Sequence, residues 1–136
     1  MTVAPGPTDD HFDLVVIGSG PAGEKGATQA AYHGKRVAIV ERSPHPGGAT
    51  VNNAGIPTKA LRETALYVSG FRKKEVYGLS LQLDPGVAFE RLRTRAGTVS
   101  GTMSAAVKHN IERLGIELIH GQASLGPGGA VHVTSD

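Results

Sequence analysis

Apolar residues along this chain fall into short β-branched runs separated by longer stretches with helical spacing. The first run, Leu14-Val15-Val16-Ile17, passes straight into Gly18-Ser19-Gly20-Pro21-Ala22-Gly23. Small residues in a helical pattern follow, and a second apolar run begins at Val37 and stops on the acid Glu41. That order predicts strand, tight turn, helix and strand within a single unit of about 30 residues.

Beyond it, residues 43–55 form a loop rich in Gly, Pro and Asn. Ile56-Pro57-Thr58-Lys59 opens a helix, with proline near the first turn where its missing N–H costs little. Leu61, Ala65 and Val68 carry that helix to about Gly70, where glycine can end it. Residues 72–86 read as a surface excursion closed by the turn signal Asp84-Pro85-Gly86.

A long helix is predicted from Val87 to about Leu114. Leu92, Ala96, Val99, Met103, Val107, Ile111 and Leu114 keep steps of three and four and form one stripe. The simplest role is a helix covering a sheet, with a subunit contact as the alternative. Gly97 and Gly101 weaken it and offer close packing against a neighbour. Gly115 ends it, residues 116–119 make a short strand, Gly126-Pro127-Gly128-Gly129 turns the chain, and Val131-His132-Val133 begins an antiparallel element.

The glycine string has a chemical meaning because of what flanks it. Gly18 permits the turn from strand to helix, Gly20 has no side chain to hold a phosphate off the backbone, and Gly23 lets the helix lie close on the strands. Pro21 and Ala22 stand in the first helical turn, whose unpaired N–H groups and dipole favour an anion. Glu41 lies 18 residues past Gly23, near the offset of about 20 expected for an acid that accepts hydrogen bonds from the adenosine ribose. A carboxylate there repels a 2′-phosphate, so the pattern favours FAD or NAD over NADP. With 19 glycines in the chain the string alone would mean little. Its position between strand and helix, with the acid in place, predicts a site for the ADP half of a dinucleotide.

Composition narrows the classes. At 136 residues the chain suits one domain, and 39% hydrophobic with 19% charged residues is a globular balance. A net charge of +2 gives no case for nucleic acid, and Arg72-Lys73-Lys74 reads as a solvated loop. The absence of cysteine removes disulfide and thiolate chemistry. The histidines show no metal-ligand spacing, so no metal site is expected, and His33 and His45 read as surface positions. No stretch approaches the length of a membrane span. Residues 1–11 lack the features of a secretory signal and read as a disordered tail. The expected location is the cytoplasm.

Residues 47–59, Gly-Gly-Ala-Thr-Val-Asn-Asn-Ala-Gly-Ile-Pro-Thr-Lys, resemble the active-site segment of the pyridine nucleotide–disulfide oxidoreductases. There the segment follows a similar glycine fingerprint and reads roughly GGTCxNxGCxPSK. Gly47, Gly48, Asn52, Ile56, Pro57 and Lys59 match, and Thr58 replaces a similar serine. Gly121-Gln122-Ala123 resembles the stretch where family members hold the adenine with backbone atoms. The resemblance implies FAD as cofactor, held by Gly18, Gly20, Pro21, Ala22, Gly23, Glu41, Arg42, Gly48, Ala49, Thr50, Lys59, Gly121, Gln122 and Ala123. It places Lys59 beside the flavin ring. It also implies a Rossmann-like α/β fold with a parallel sheet of order 3-2-1 and the start of a β-meander.

The departures are as informative. The two family cysteines fall at Thr50 and Gly55, so no redox-active disulfide can form. Ala49 replaces a threonine whose hydroxyl contacts the pyrophosphate, leaving only its backbone N–H, and Ala54 replaces a glycine. Within the family the sulfur-free transhydrogenases match best, with a similar Gly-Ser-Gly-Pro-x-Gly-Glu start at residues 18–24. The resemblance implies hydride transfer between NADPH and NAD through FAD. Residues 12–136 are then expected to be part of an FAD-binding domain. Contacts to NAD(P)H are expected from domains beyond it, supplied by a further chain or by a homodimer, and no residue of this chain is assigned a catalytic role. Two other readings remain: a dinucleotide-binding module without catalysis, and an inactive remnant.

Overall fold

A computed structural model describes residues 11–72, 78 and 84–135. The tail reading for residues 1–11 lies outside them save for His11, as do Lys73 and Lys74 of the basic cluster. Strand β1 (Leu14–Ile17) leads through the glycine turn into α1 (Pro21–Tyr32), and β2 (Val37–Glu41) runs parallel to β1 with Val16 opposite Ile39. A short helix α2 (Gly48–Asn52) precedes α3 (Ile56–Arg72) and the long α4 (Pro85–Arg113). Strand β3 (Glu117–His120) pairs parallel with the other side of β2, with Leu118 opposite Ile39. Strands β4 (Gln122–Leu125) and β5 (Val131–Thr134) form a separate antiparallel pair.

The sheet order β1-β2-β3 is the one expected, and its logic is visible in burial. Every residue of β2 is buried, whereas β1 and β3 each expose their terminal residues. A near-continuous apolar run is the sequence signature of a strand flanked on both sides and covered. The row Val16, Ile39 and Leu118 crosses the sheet beneath α1 and α4, joined by Ala27 from α1 and by Ile111 and Val107 from α4. Glu24 of α1 accepts a hydrogen bond from Asn110 Nδ2 of α4 at 2.8 Å, so the two helices are pinned together at the end nearest the glycine turn. Asp13 accepts the N–H of Arg36 at 2.8 Å and locks the opposite end of the βαβ unit. That bond, with the nearby Lys35 ammonium, holds the Asp13 carboxyl below its usual range.

Several expectations change in detail. The loop of residues 43–55 contains α2, a turn of helix that its glycine-rich composition hides; it is held by burial of Val51 and by packing against the glycine turn. Helix α3 continues past Gly70 to Arg72, and it turns Ile56, Ala60, Thr64 and Val68 inward while Leu61 and Ala65 are exposed. The Asp84-Pro85-Gly86 signal begins α4: Asp84 Oδ1 accepts the N–H groups of Gly86 and Val87 at 2.8 and 3.2 Å, and Pro85 occupies the first helical position.

The predicted stripe on α4 divides. Ile111, Val107 and Leu114 cover the sheet, and Ala96 and Val99 lie further along, where α4 runs beside α3. Met103 is 40% exposed and Ser104 takes the inward place. A Cβ at Gly97 or Gly101 would meet nothing within 4 Å, so these glycines serve no close approach among the described residues. Strand β3 starts one residue later than expected, with Ile116 buried just ahead of it.

Ile39 has no exposed surface and sits in the core cluster with Ala27 of α1 and Ile111 of α4, paired with Val16 of β1 and Leu118 of β3. Ile39→Ala should therefore cost about 2–5 kcal/mol, against less than about 0.5 kcal/mol for Leu125→Ala, which changes a side chain 80% exposed. Urea denaturation of both variants measures the difference.

Candidate functional site

The site forms where three segments meet at the carboxyl ends of β1 and β2. Gly18 has φ +95°, a conformation open to glycine alone at little cost, and its N–H donates to Val40 O at 2.8 Å. A Cβ at Gly23 would collide with Gly18 O and stand 3.1 Å from Val16 Cγ1. Only glycine lets α1 approach the strand this closely. A Cβ at Gly20 would meet nothing within 4 Å, so the turn opens to space at the point where α1 begins. Helix α1 starts with Gly20 as N-cap, Pro21 at the first position and no side-chain cap, leaving its N-terminal donors for another acceptor. Pro21 and Ala22 are exposed beside it.

Glu41 is buried at the end of β2 and holds the turn. Its Oε2 accepts the Ser19 N–H at 2.8 Å and the Ser19 hydroxyl at 2.6 Å, and its Oε1 accepts the Ser43 N–H at 2.8 Å. Burial pushes the carboxyl toward a higher pKa and is the largest single influence. The Ser19 hydroxyl and N–H, with the backbone of Ser43 and Arg42, together outweigh it, so the group sits below its ordinary 4.5. Arg42 itself is exposed.

The third segment is the arm from Gly47 to Thr50. Gly47 N–H donates to the Ser19 hydroxyl oxygen at 3.0 Å, and Asn52 Nδ2 donates to His45 O at 2.7 Å, closing the loop on itself. Gly48 has φ +61°, and a Cβ there would stand 2.8 Å from Gly20 Cα. The arm thus lies directly on the glycine turn, with Ala49 and Thr50 on the exposed side. A Cβ at Gly55 would stand 3.0 Å from Thr50 Cγ2. The two positions that correspond to the family cysteines are neighbours in space, and neither carries sulfur.

Gly121 comes to the same end of the sheet: its N–H donates to Glu41 O at 3.0 Å and its φ is +153°. Gln122 is exposed and Ala123 half-buried in β4, a strand not foreseen from the sequence. Lys59 stands apart from this cluster. It lies on the first turn of α3, its N–H bonded to Gly55 O at 3.0 Å, and lines a groove of about 720 Å³ between α3 and α4 with Ile56, Ala60, Tyr67, Arg95 and Val99. Sequence reasoning overlooked Ser19 and Ser43. The available signal for Ser19 was a hydroxyl between two glycines that must pack against a carboxylate. Among the described residues no group of acidic or histidine side chains could hold a metal ion, and no helix is long and apolar enough to cross a membrane.

A parallel βαβ unit with an uncapped helix start, an open glycine turn and a fixed acid defines a dinucleotide-binding protein of the Rossmann-like class. Residues 13–118 match the family of FAD dependent oxidoreductases, and the chain belongs to that family. It is 42% identical over 111 residues to the soluble pyridine nucleotide transhydrogenase of Mycobacterium tuberculosis, an overlap of 82% of this chain and 24% of that protein. It is 35% identical over 116 residues to the dihydrolipoyl dehydrogenase of Zymomonas mobilis, covering 85% of this chain and 24% of that one. Among solved structures it resembles the Cu(II) complex of the HOCl-induced flavoprotein disulfide reductase RclA from Escherichia coli, with a TM-score of 0.68 at 27% identity over 93% of this chain and 25% of that one. The chain spans about a quarter of the length of the curated relatives it matches. FAD is the cofactor of the family.

A carboxyl held below its ordinary pKa stabilises the fold above that value and loses the contribution as pH falls through the lowered one. Acid unfolding should therefore steepen from about pH 4.5 downward. Glu41→Gln should flatten that limb while lowering stability at neutral pH, as thermal melting across a pH series would show.

Proposed function

We propose that this chain is the FAD-binding part of a cytoplasmic flavin-dependent NAD(P) oxidoreductase that moves hydride between NADPH and NAD without a redox disulfide. The observation that carries the reading is the arm of residues 47–55, which lies on the glycine turn yet holds no sulfur at the adjoining positions 50 and 55. The similarity to proteins named soluble pyridine nucleotide transhydrogenase supports the same branch and the cytoplasmic location. Bound FAD supplies the hydride acceptor and donor.

The residues here hold and orient it. The N-terminal donors of α1 face the pyrophosphate across Gly20 and Ala22, and the missing Cβ at Gly20 admits it. The backbone of Gly48, Ala49 and Thr50 closes over the phosphates from the other side. Glu41 accepts from the adenosine ribose through Oε1, the less encumbered of its oxygens, and excludes a 2′-phosphate by charge. Backbone of Gly121, Gln122 and Ala123, beside Glu41, borders the adenine, and Arg42 flanks the ribose from its exposed position. Lys59, which lines the α3–α4 groove, would supply positive charge to the flavin ring and so favour its reduced state. The nicotinamide sites belong to further domains, in the same chain, in a separate one or across a homodimer.

The test is ligand-dependent melting with FAD, ADP and FMN. Both ADP-containing ligands should raise the melting temperature, FAD more than ADP at equal concentration, and FMN should do little. Equal protection by ADP and FAD would reduce the protein to a dinucleotide module without a flavin site. Protection by neither would mark an inactive remnant.

A further inference from the structure

We propose that Ser19 is a positioning residue that couples the ribose-facing acid to the phosphate-facing arm, so that the two halves of the ADP cradle are set as one unit. This rests on the reading of the glycine turn as an ADP site. Ser19 has no exposed surface, so its hydroxyl touches no ligand; it acts through its neighbours. The hydroxyl donates to Glu41 Oε2 at 2.6 Å and accepts the Gly47 N–H at 3.0 Å, while its own N–H donates to the same carboxylate oxygen at 2.8 Å. A residue between two glycines of the turn therefore reaches both the end of β2 and the start of the arm.

The consequence follows from hydrogen-bond arithmetic. Gly47 is buried, and its N–H donates to the Ser19 hydroxyl. Without that hydroxyl a buried donor is orphaned, a costly state that the arm relieves by shifting toward water. Gly48 would then leave its contact with Gly20, and the backbone that closes over the phosphates would move with it. Glu41 would keep the N–H groups of Ser19 and Ser43, so the ribose side would change little. Loss of the hydroxyl thus separates phosphate binding from adenosine binding, which a general loosening of the fold cannot do.

The experiment compares ADP and adenosine binding to the full chain in the wild type, Ser19→Ala and Ser19→Thr, by nuclear magnetic resonance titration. Ser19→Ala should weaken ADP by about tenfold and adenosine by less than about twofold, and Ser19→Thr, which keeps the hydroxyl, should recover most of the ADP loss. An unchanged ADP affinity in a cooperatively melting Ser19→Ala protein overturns the coupling alone. So does an equal loss for both ligands with no rescue. Should Ser19→Ala fail to fold, the wild type decides: the Gly47 amide must exchange more slowly with adenosine bound as well as with ADP, and slowing by ADP alone overturns the coupling. A wild type that binds neither ligand overturns the ADP site itself.

Discussion

Strand β2 is buried along its whole length and flanked by a parallel neighbour on either side, and the rest of the molecule is arranged around that constraint. A strand enclosed in this way must be apolar wherever it meets α1 and α4, and Val37 and Ile39 meet that demand. It must also end where polar groups can be satisfied. It ends on a carboxylate. Burying an unpaired carboxylate would be prohibitive, so the donors around Glu41 are a requirement of the fold before they are a feature of the site. The same bonds hold the glycine turn in its open shape, and the support for the chain's centre is therefore also the frame of the candidate site.

This double use supplies hydrogen bonds to a site made of glycine-rich segments. Gly18, Gly47 and Gly48 adopt conformations that glycine alone accepts readily, and such segments are mobile unless they are tied down. Here hydrogen bonds tie them: the Gly18 N–H donates to Val40 O and the Gly47 N–H to the Ser19 hydroxyl, while Gly121 beside them donates to Glu41 O. The open side of the turn is left as bare backbone, with room where a Cβ at Gly20 would stand. A phosphate needs just this kind of surface, dense in N–H donors and free of side chains.

Much of this was legible in the sequence, and the boundary of what was legible has physical causes. Residues 14–17 and 37–41 announced their strands because short apolar runs rich in Val and Ile and bounded by glycine or by a charge have few other solutions. Gly23 announced a close helix–strand contact, which its collision with Gly18 O explains. Helix α2 was illegible because its glycine and asparagine content argues against helix; tertiary packing through Val51 overrides propensity there. Strand β4 is too short to show alternation and exists through its pairing with β5. On α4 the stripe was correct in period, yet Met103 and Ser104 exchange places, because the helix faces the sheet at one end and α3 at the other. Asp84-Pro85-Gly86 was ambiguous in principle, since the residues that end a loop are those that cap a helix. Within the site, the glycines and the acid were readable from spacing. The link between them through Ser19 was not, because a hydroxyl gives no periodic signal.

The adjacency of Thr50 and Gly55 bears on how such a site meets oxidative stress. Where a reductase carries a thiol pair at these positions, the pair shares the redox poise of its compartment and can be capped by glutathione or driven to sulfinic acid by peroxide. A methyl and a hydroxyl at position 50, and a bare α-carbon at position 55, offer an oxidant nothing to attack. The arm holds this contact between positions 50 and 55 with no group that the thiol pool can modify, in a chain that has no cysteine anywhere.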